Sequence, residues 1–197
     1  MKSEIVRAVA VIPARGGSKR LPRKNIAALA GKPMVAWVIE AALGARHLGQ
    51  GRVFVSTEDP EIAAIARTCG AGVVQRPVEL CGDQVWTEPV IRHAVENIES
   101  ERGPQDIVVW LNASIPEIRA SDIDAAVDRL RSGRFREVFA VDSEWRATSA
   151  VRVLVRDALE QRSLSVNVSV LPLDYIDVHF SSDLEIVERR LRERRQS

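Results

Sequence analysis

Residues Ile12 to Asn25 read Ile-Pro-Ala-Arg-Gly-Gly-Ser-Lys-Arg-Leu-Pro-Arg-Lys-Asn, so two adjacent glycines and five cations follow an apolar run. The glycines Gly16 and Gly17 open backbone conformations closed to other residues, which lets successive N–H groups converge on an anion. Arg15, Lys19, Arg20, Arg23 and Lys24 surround that turn with positive charge. Arginine grips two phosphate oxygens through its planar fork, whereas lysine brings a compact charge on a flexible stem. Pro22 fixes one backbone angle before the last cations arrive. The spacing is neither the Gly-x-x-x-x-Gly-Lys of a P-loop nor the Gly-x-Gly-x-x-Gly of a dinucleotide fold. A triphosphate cradle of another kind is therefore expected. The plainer alternative is a solvated basic turn, but such turns seldom carry paired glycines and a proline behind a buried strand.

The elements that must position this loop are legible on either side of it. Ile5 to Pro13 is a continuous apolar run, as expected of a central parallel strand covered on both faces. Behind Pro33, a residue suited to a first helical turn, Met34, Trp37, Val38 and Ala41 recur at helical spacing. A strand at Arg52–Thr57, a helix from about Pro60 to Cys69, a strand at Val73–Gln75 and a helix from Thr87 to Glu101 follow. Asp106–Leu111 is a further apolar strand. A helix opens near Ser121, with Asp122 and Asp124 suited to its N-terminus, and runs toward Gly133. Glu137–Val141 returns to strand. This alternation predicts an α/β fold with a doubly wound, mostly parallel sheet and ligands at the carboxyl ends of its strands. From Asp142 to Leu173 the rhythm changes to short β-like pieces, Ser149–Val155 and Val166–Leu171. Tyr175–His179 reads as a last strand, and Ser182 with Glu185 as a capping box opening a terminal helix to about Arg195. The arginines at that helix's end read as solvated surface.

Composition bounds the function classes. A chain of 197 residues with 46% hydrophobic content buries one good core, so residues 1–197 are expected to form one domain. The formal charge is +1, yet all four lysines, Lys2, Lys19, Lys24 and Lys32, fall before residue 33. Elsewhere arginines alternate with acids, which argues against a nucleic-acid track. No apolar run reaches membrane-spanning length and no signal-peptide pattern opens the chain, so a cytoplasmic protein without membrane contacts is expected. Cys69 and Cys81 lack metal-ligand spacing and read as reduced thiols.

The loop from Pro13 to Asn25 closely resembles the opening signature of the acylneuraminate cytidylyltransferase (CMP-sialic acid synthetase) family. Gly31-Lys32-Pro33-Met34 resembles that family's Gly-Lys-Pro helix start, and Val55-Ser56-Thr57-Glu58-Asp59 with Glu61-Ile62 its second-strand turn. Gln75-Arg76-Pro77, Glu79-Leu80 and Asp83 are similar to its Arg-Pro-x-x-Leu-x-x-Asp element. The matches occur in family order over most of residues 8 to 83. The resemblance implies a nucleotide-diphospho-sugar transferase-like (Rossmann-like) fold, with CTP and a small acidic acceptor as partners. It also implies that Arg15 and Lys19 contact the triphosphate, with Ala14, Gly16 and Gly17 beside them, and that Asn25 and Arg76 hold the cytidine. For Asp83 two readings stand, a ribose hydroxyl or a helix cap.

Three departures from that family pattern bear on the acceptor. The family's Gln-Pro-Thr-Ser-Pro-Leu-Arg is replaced by Asn112-Ala113-Ser114-Ile115-Pro116-Glu117-Ile118-Arg119. Asn112 keeps amide chemistry on a shorter arm, so Asn112 and Ser114 are expected at the acceptor, while a turn-forming Asn-Ala-Ser explains the stretch nearly as well. The family's Asp-x-Asp magnesium pair is matched by Asp177 and then by His179. Strand alternation puts both on one face, but imidazole is a poor magnesium ligand. Weaker Mg2+ binding, a softer ion such as Mn2+, a role for Asp177 with phosphate and water alone, and a merely packed His179 all stay open. Finally, residues 142–173 are shorter than the segment that in relatives builds the sugar site and the dimer. That weakens the expectation of a homodimer and favours a compact acceptor.

These residues together predict in-line attack of an acceptor oxygen on the α-phosphorus of CTP with loss of pyrophosphate, Arg15, Lys19 and Asp177 being catalytic. The competing readings are another nucleotide or a sugar-phosphate acceptor, and a nucleotide-binding module with little catalysis.

Overall fold

The computed structural model describes residues 6–133, 135–161 and 167–196. In chain order the elements are β1 (Ala8–Pro13), a short hairpin of β2 (Ala28–Leu29) and β3 (Lys32–Pro33), α1 (Met34–Gly44), β4 (Val53–Thr57), α2 (Pro60–Thr68), β5 (Gly72–Gln75), α3 (Thr87–Arg102), β6 (Ile107–Leu111), α4 (Ala120–Ser132), β7 (Glu137–Val141), β8 (Ala147–Val155), β9 (Val168–Pro172) and α5 (Ser181–Gln196). Among the described residues the main sheet has seven strands in the order β5-β4-β1-β6-β8-β7-β9. β1 pairs in parallel with both β4 and β6, and β4 with β5. β8 runs antiparallel between β6 and β7, and β9 lies parallel to β7 at the edge. The expected doubly wound, mostly parallel sheet is the one observed, and the change of rhythm after Asp142 is the insertion of β8 and β9.

β1 shows why the sheet is central. Ala8, Ala10 and Ile12 enter one apolar cluster with α1, α2 and α4, while the alternating Val9 and Val11 enter another with Ile91, Val95 and Ile98 of α3. All five strand residues are at most 1% exposed. Period-two alternation delivers apolar side chains to both faces. Each large aliphatic side chain buried this way contributes roughly 1.5–3 kcal/mol. α2 starts where Asp59 caps it, its Oδ1 accepting from the N–H groups of Glu61 (2.9 Å) and Ile62 (3.0 Å), with Pro60 in the first position. α3 stops at Gly103, whose φ of 80° only glycine adopts freely.

A third cluster ties the chain end to its beginning. Leu29 and Ala30 of the hairpin, Met34 and Trp37 of α1, and Val178, Val187 and Leu191 pack together, and Trp37 Nε1 donates to Leu29 O at 2.9 Å. The arginines of α5 meet the expectation of solvated surface only in part: Arg189 and Arg192 are exposed, while three others are anchored to distant residues. Arg190 pairs with buried Glu117, Arg194 donates to Glu117 O at 2.9 Å, and Arg195 donates to Ala30 O at 3.1 Å while lying over the Trp37 ring. Long-range acceptors decide this docking, and local charge spacing does not reveal them.

Two local expectations are corrected. Residues 175–179 are extended but form no strand. Their hydrogen bonds run to loops: Ile176 N donates to Glu117 Oε2 (3.0 Å) and Val178 N to Ser114 O (3.0 Å). α5 is capped by Asp183, whose Oδ2 accepts from His179 N and Phe180 N at 2.8 Å each, and not by a Ser182–Glu185 box. Asp183 reaches the unpaired N–H groups directly, which also holds its carboxyl below the usual range. The expected strand start at Val166 lies outside the described residues, as does Ile5 of the first strand.

Candidate active site

The carboxyl ends of β1, β5 and β6 open onto one cleft of about 290 Å³, the place a doubly wound sheet reserves for ligands. Its walls include Arg15, Gly17, Ser18, Lys24, Asn25, Arg76, Asp83, Trp110, Asn112, Ser114 and Ser149. An adjoining space of about 310 Å³ is lined by Arg15, Ser18, Lys19, Arg20, Lys24, Asp83 and His179. The first is mixed in character and the second is dominated by cations, as a nucleoside end and a phosphate end would be.

The glycine loop works differently from the expectation drawn on its sequence. Neither Gly16 nor Gly17 has positive φ, whereas Arg23 does, at 59°. Gly16 is required by crowding: a Cβ there would lie 2.3 Å from Asp59 Oδ2 and 2.9 Å from Asp59 Cβ. Its N–H does not point to free space but donates to Glu58 Oε1 at 2.7 Å. Gly17 would tolerate a Cβ and faces the cleft. Ala14 is fully buried under the loop, its N–H donating to Ser56 O at 3.0 Å, and forms no cleft wall. Arg23 leaves the cation set altogether, pairing with Asp59 and Glu61. Arg20 stays at the phosphate end, 5.9 Å from the Phe180 ring.

At the other end of the cleft, Arg76 is 5% exposed and donates through Nη2 to Ser56 O at 2.7 Å. Burial pushes its guanidinium toward the neutral form, with Glu58 opposing. Buried Asn25 donates to Arg15 O at 2.9 Å, and its Oδ1 finds no hydrogen-bond partner among the described residues. Buried polar atoms are usually paired, so this unpaired acceptor in a residue that lines the cleft is an exception to that rule.

Asp83 caps no helix. Its Oδ1 lies 2.8 Å from Arg15 Nη1 and its Oδ2 pairs with Lys19 Nζ, so it neutralises the two cations assigned to the triphosphate. Those hydrogen bonds, Lys19's foremost, hold the Asp83 carboxyl below its ordinary range.

Asp177 sits just behind the cleft wall. Its Oδ2 accepts from Asn112 Nδ2 and from Ser149 Oγ, both at 3.1 Å, and lies 3.6 Å from His179 Nε2. Its Oδ1 is buried without a hydrogen-bond partner among the described residues. The shared face expected of Asp177 and His179 is therefore present although no strand carries them, because any extended backbone alternates its side chains. Asn112 Oδ1 also accepts from Ser114 N at 2.9 Å, the turn-forming arrangement, while the residue lines the cleft. Lys24, read on sequence only as one of the loop's cations, has a further role, and Ser149 was missed on sequence. Lys24 Nζ donates to Val178 O at 2.7 Å, tying the loop to the Asp177 strap, and burial drives its ammonium toward neutrality against the pull of Asp177. Ser149 gives no signal beyond being a polar residue at the start of a predicted strand.

Comparison with known proteins agrees with this geometry. A family model described as cytidylyltransferase matches residues 9–184. The pseudaminic acid cytidylyltransferase of Campylobacter jejuni subsp. jejuni serotype O:2 is 34% identical over 131 residues, covering 66% of this chain and 56% of that protein. The N-acylneuraminate cytidylyltransferase A of Danio rerio is 34% identical over 132 residues, covering 67% of this chain and 29% of that protein. The matched stretch thus spans little more than half of the first relative and less than a third of the second. A solved structure of CMP:2-keto-3-deoxy-manno-octonic acid synthetase complexed with CTP has a TM-score of 0.76 at 19% identity, covering 95% of this chain and 99% of that one, a likeness of fold. With a cationic loop, a buried arginine and an open acceptor around one cleft, and a family match over nearly the whole chain, this protein belongs to the cytidylyltransferase family.

Proposed function

We propose that this chain transfers CMP from CTP to an acidic sugar or a similarly small acidic acceptor, releasing pyrophosphate. The carrying observation is the make-up of the two adjoining spaces: Arg76, Asn25, Asn112 and Ser149 line the first, Lys19 and Arg20 the second, and Arg15 both, with Asp177 held behind by Asn112 and Ser149. Cytosine presents both acceptors and an amino donor, so a buried guanidinium and an unpartnered amide oxygen suit it. Arg15 and Lys19 then neutralise charge on the leaving pyrophosphate, and Lys24 and Arg20 add to the field. The acceptor hydroxyl attacks the α-phosphorus in line with the departing oxygen, oriented by Asn112 and Ser114. The names of the two relatives, a pseudaminic acid cytidylyltransferase and an N-acylneuraminate cytidylyltransferase, support an acidic acceptor.

The residues present fit a divalent ion. Asp177 offers a buried oxygen with nothing bound to it, and a small hard ion is commonly held by one or two carboxylates plus phosphate oxygens and water. His179, beside Asp177, would favour Mn2+ over Mg2+ as the partner. When bound, the ion would supply charge neutralisation between phosphate oxygens.

The test is pyrophosphate release from CTP, with Mg2+ or Mn2+, across a panel of acidic sugars and small phosphonates. Acceptor-dependent release supports the proposal. CTP binding with silence across the panel supports the binding-module reading, and equal binding of all four nucleoside triphosphates overturns the cytosine assignment. Arg76→Ala is expected to lower CTP affinity by about 10- to 100-fold, the range of a lost hydrogen bond to a charged group. Calorimetric titration checks it, with a melting curve to separate the loss of the tie to Ser56 from the loss of the base contact.

A further inference from the structure

Asp83 occupies the position an anionic ligand would take. Its two oxygens engage Arg15 and Lys19, and it lines both the nucleoside space and the phosphate space, on the boundary between them. It belongs to no helix or strand but to a turn in which Val85 N donates to Gly82 O at 3.2 Å. Its side chain is 36% exposed and that of Lys19 80% exposed, so each pair is screened by water and readily exchanged. The same Arg15 Nη1 also donates to Cys81 O at 3.3 Å, a backbone tie that remains to the guanidinium when the carboxylate leaves.

We propose that Asp83 is an internal counter-anion for the phosphate cations: it holds Arg15 and Lys19 when no nucleotide is bound, yields them to a triphosphate, and competes with pyrophosphate for them after transfer. The second half of this proposal rests on the cytidylyl-transfer reading. A guanidinium and an ammonium converging on an open cleft would collect any phosphate in solution. A tethered carboxylate at high effective concentration weakens every such anion by the same factor. Ligands that gain nothing from Arg76 and Asn25 then fall below useful affinity, while a nucleotide that does gain from them still binds. The same competition weakens the product pyrophosphate and speeds its departure. Asp83 is in this sense a residue that sets selectivity and turnover without touching the reacting atoms.

The test uses Asp83→Asn, which keeps the shape and removes the charge, with inorganic tripolyphosphate and pyrophosphate as probes in calorimetry. The affinity of both is expected to rise by about tenfold, from the loss of two weak competing pairs. Inhibition by pyrophosphate should strengthen by a similar factor in the turnover assay, and Asp83→Glu should restore wild-type values. A turn that merely collapsed would weaken anion binding, the opposite sign. Unchanged or weaker tripolyphosphate binding in Asp83→Asn overturns the proposal, as does a loss of CTP affinity alone, which would place Asp83 on the ribose. Inorganic anions need neither cytosine nor acceptor. Tighter tripolyphosphate binding in a chain indifferent to CTP would therefore leave the counter-anion standing and overturn the function proposed above, and the reverse result would do the opposite.

Discussion

Asp177→Ala is expected to lower acceptor-dependent pyrophosphate release by about a thousandfold while changing CTP affinity by less than about threefold. The carboxylate lines neither space and is tied to Asn112 and Ser149, so it is expected to contribute little to holding the nucleotide. Under the proposed function, its links to Asn112 and Ser149, which line the cleft, place it behind the acceptor side of the reaction. A group that acts mainly in the transition state lowers kcat and kcat/KM together when removed. Asp177→Asn separates charge from structure, since an amide oxygen still accepts from Asn112 and Ser149. It should melt like the wild type and be nearly as inactive as the alanine variant. Full activity in either variant would remove Asp177 from the site.

Gly16→Ala is expected to destabilise the protein by about 2 kcal/mol, a fall in melting temperature of roughly 4–8 °C, and to weaken CTP binding as well. The new methyl would lie 2.3 Å from Asp59 Oδ2, so either the loop or Asp59 must move. Asp59 has little freedom. It caps α2 through Glu61 N and Ile62 N and pairs with Arg23, hydrogen bonds that hold its carboxyl below the usual range although burial alone would raise it. Moving Asp59 forfeits the cap, worth about 1 kcal/mol, and moving the loop displaces Arg15 from the cleft. Glycine at a helix N-cap costs only a few tenths of a kcal/mol relative to aspartate. The double variant Gly16→Ala with Asp59→Gly should therefore regain most of the lost stability. If Gly16→Ala melts and binds CTP like the wild type, the crowding argument fails.

Much of the framework was legible because it is written in short-range patterns. The burial of β1 follows from an unbroken apolar run, α2 from Asp59 before Pro60, and the limits of β7 at Glu137–Val141 from the apolar stretch itself. Where the local reading failed, a distant partner intervened. Residues 175–179 have the alternation of a strand, but the carbonyl of Ser114 and the carboxylate of Glu117 take their N–H groups before any strand can. Ser182 and Glu185 match a capping box, yet the helix starts a residue earlier and Asp183 takes the N–H groups of His179 and Phe180 just before it. The basic end of α5 looks solvated until Glu117 and Ala30, far away in sequence, are brought beneath it.

The sequence by itself determined the fold class and the family resemblance, and with them the residues around which a triphosphate, a cytosine and an acceptor would be placed. These depend on strand and helix periodicity and on residue types in a fixed local order, which act over a few residues of backbone. The tertiary structure alone decided that Gly16 is a glycine because of Asp59, that Arg23 is a clamp and not a phosphate ligand, that Ser149 shares Asp177 with Asn112, and that Asp83 covers the phosphate cations. Each of those facts is a contact between elements far apart in the chain, fixed by how the sheet and its helices pack, and no local spacing encodes it.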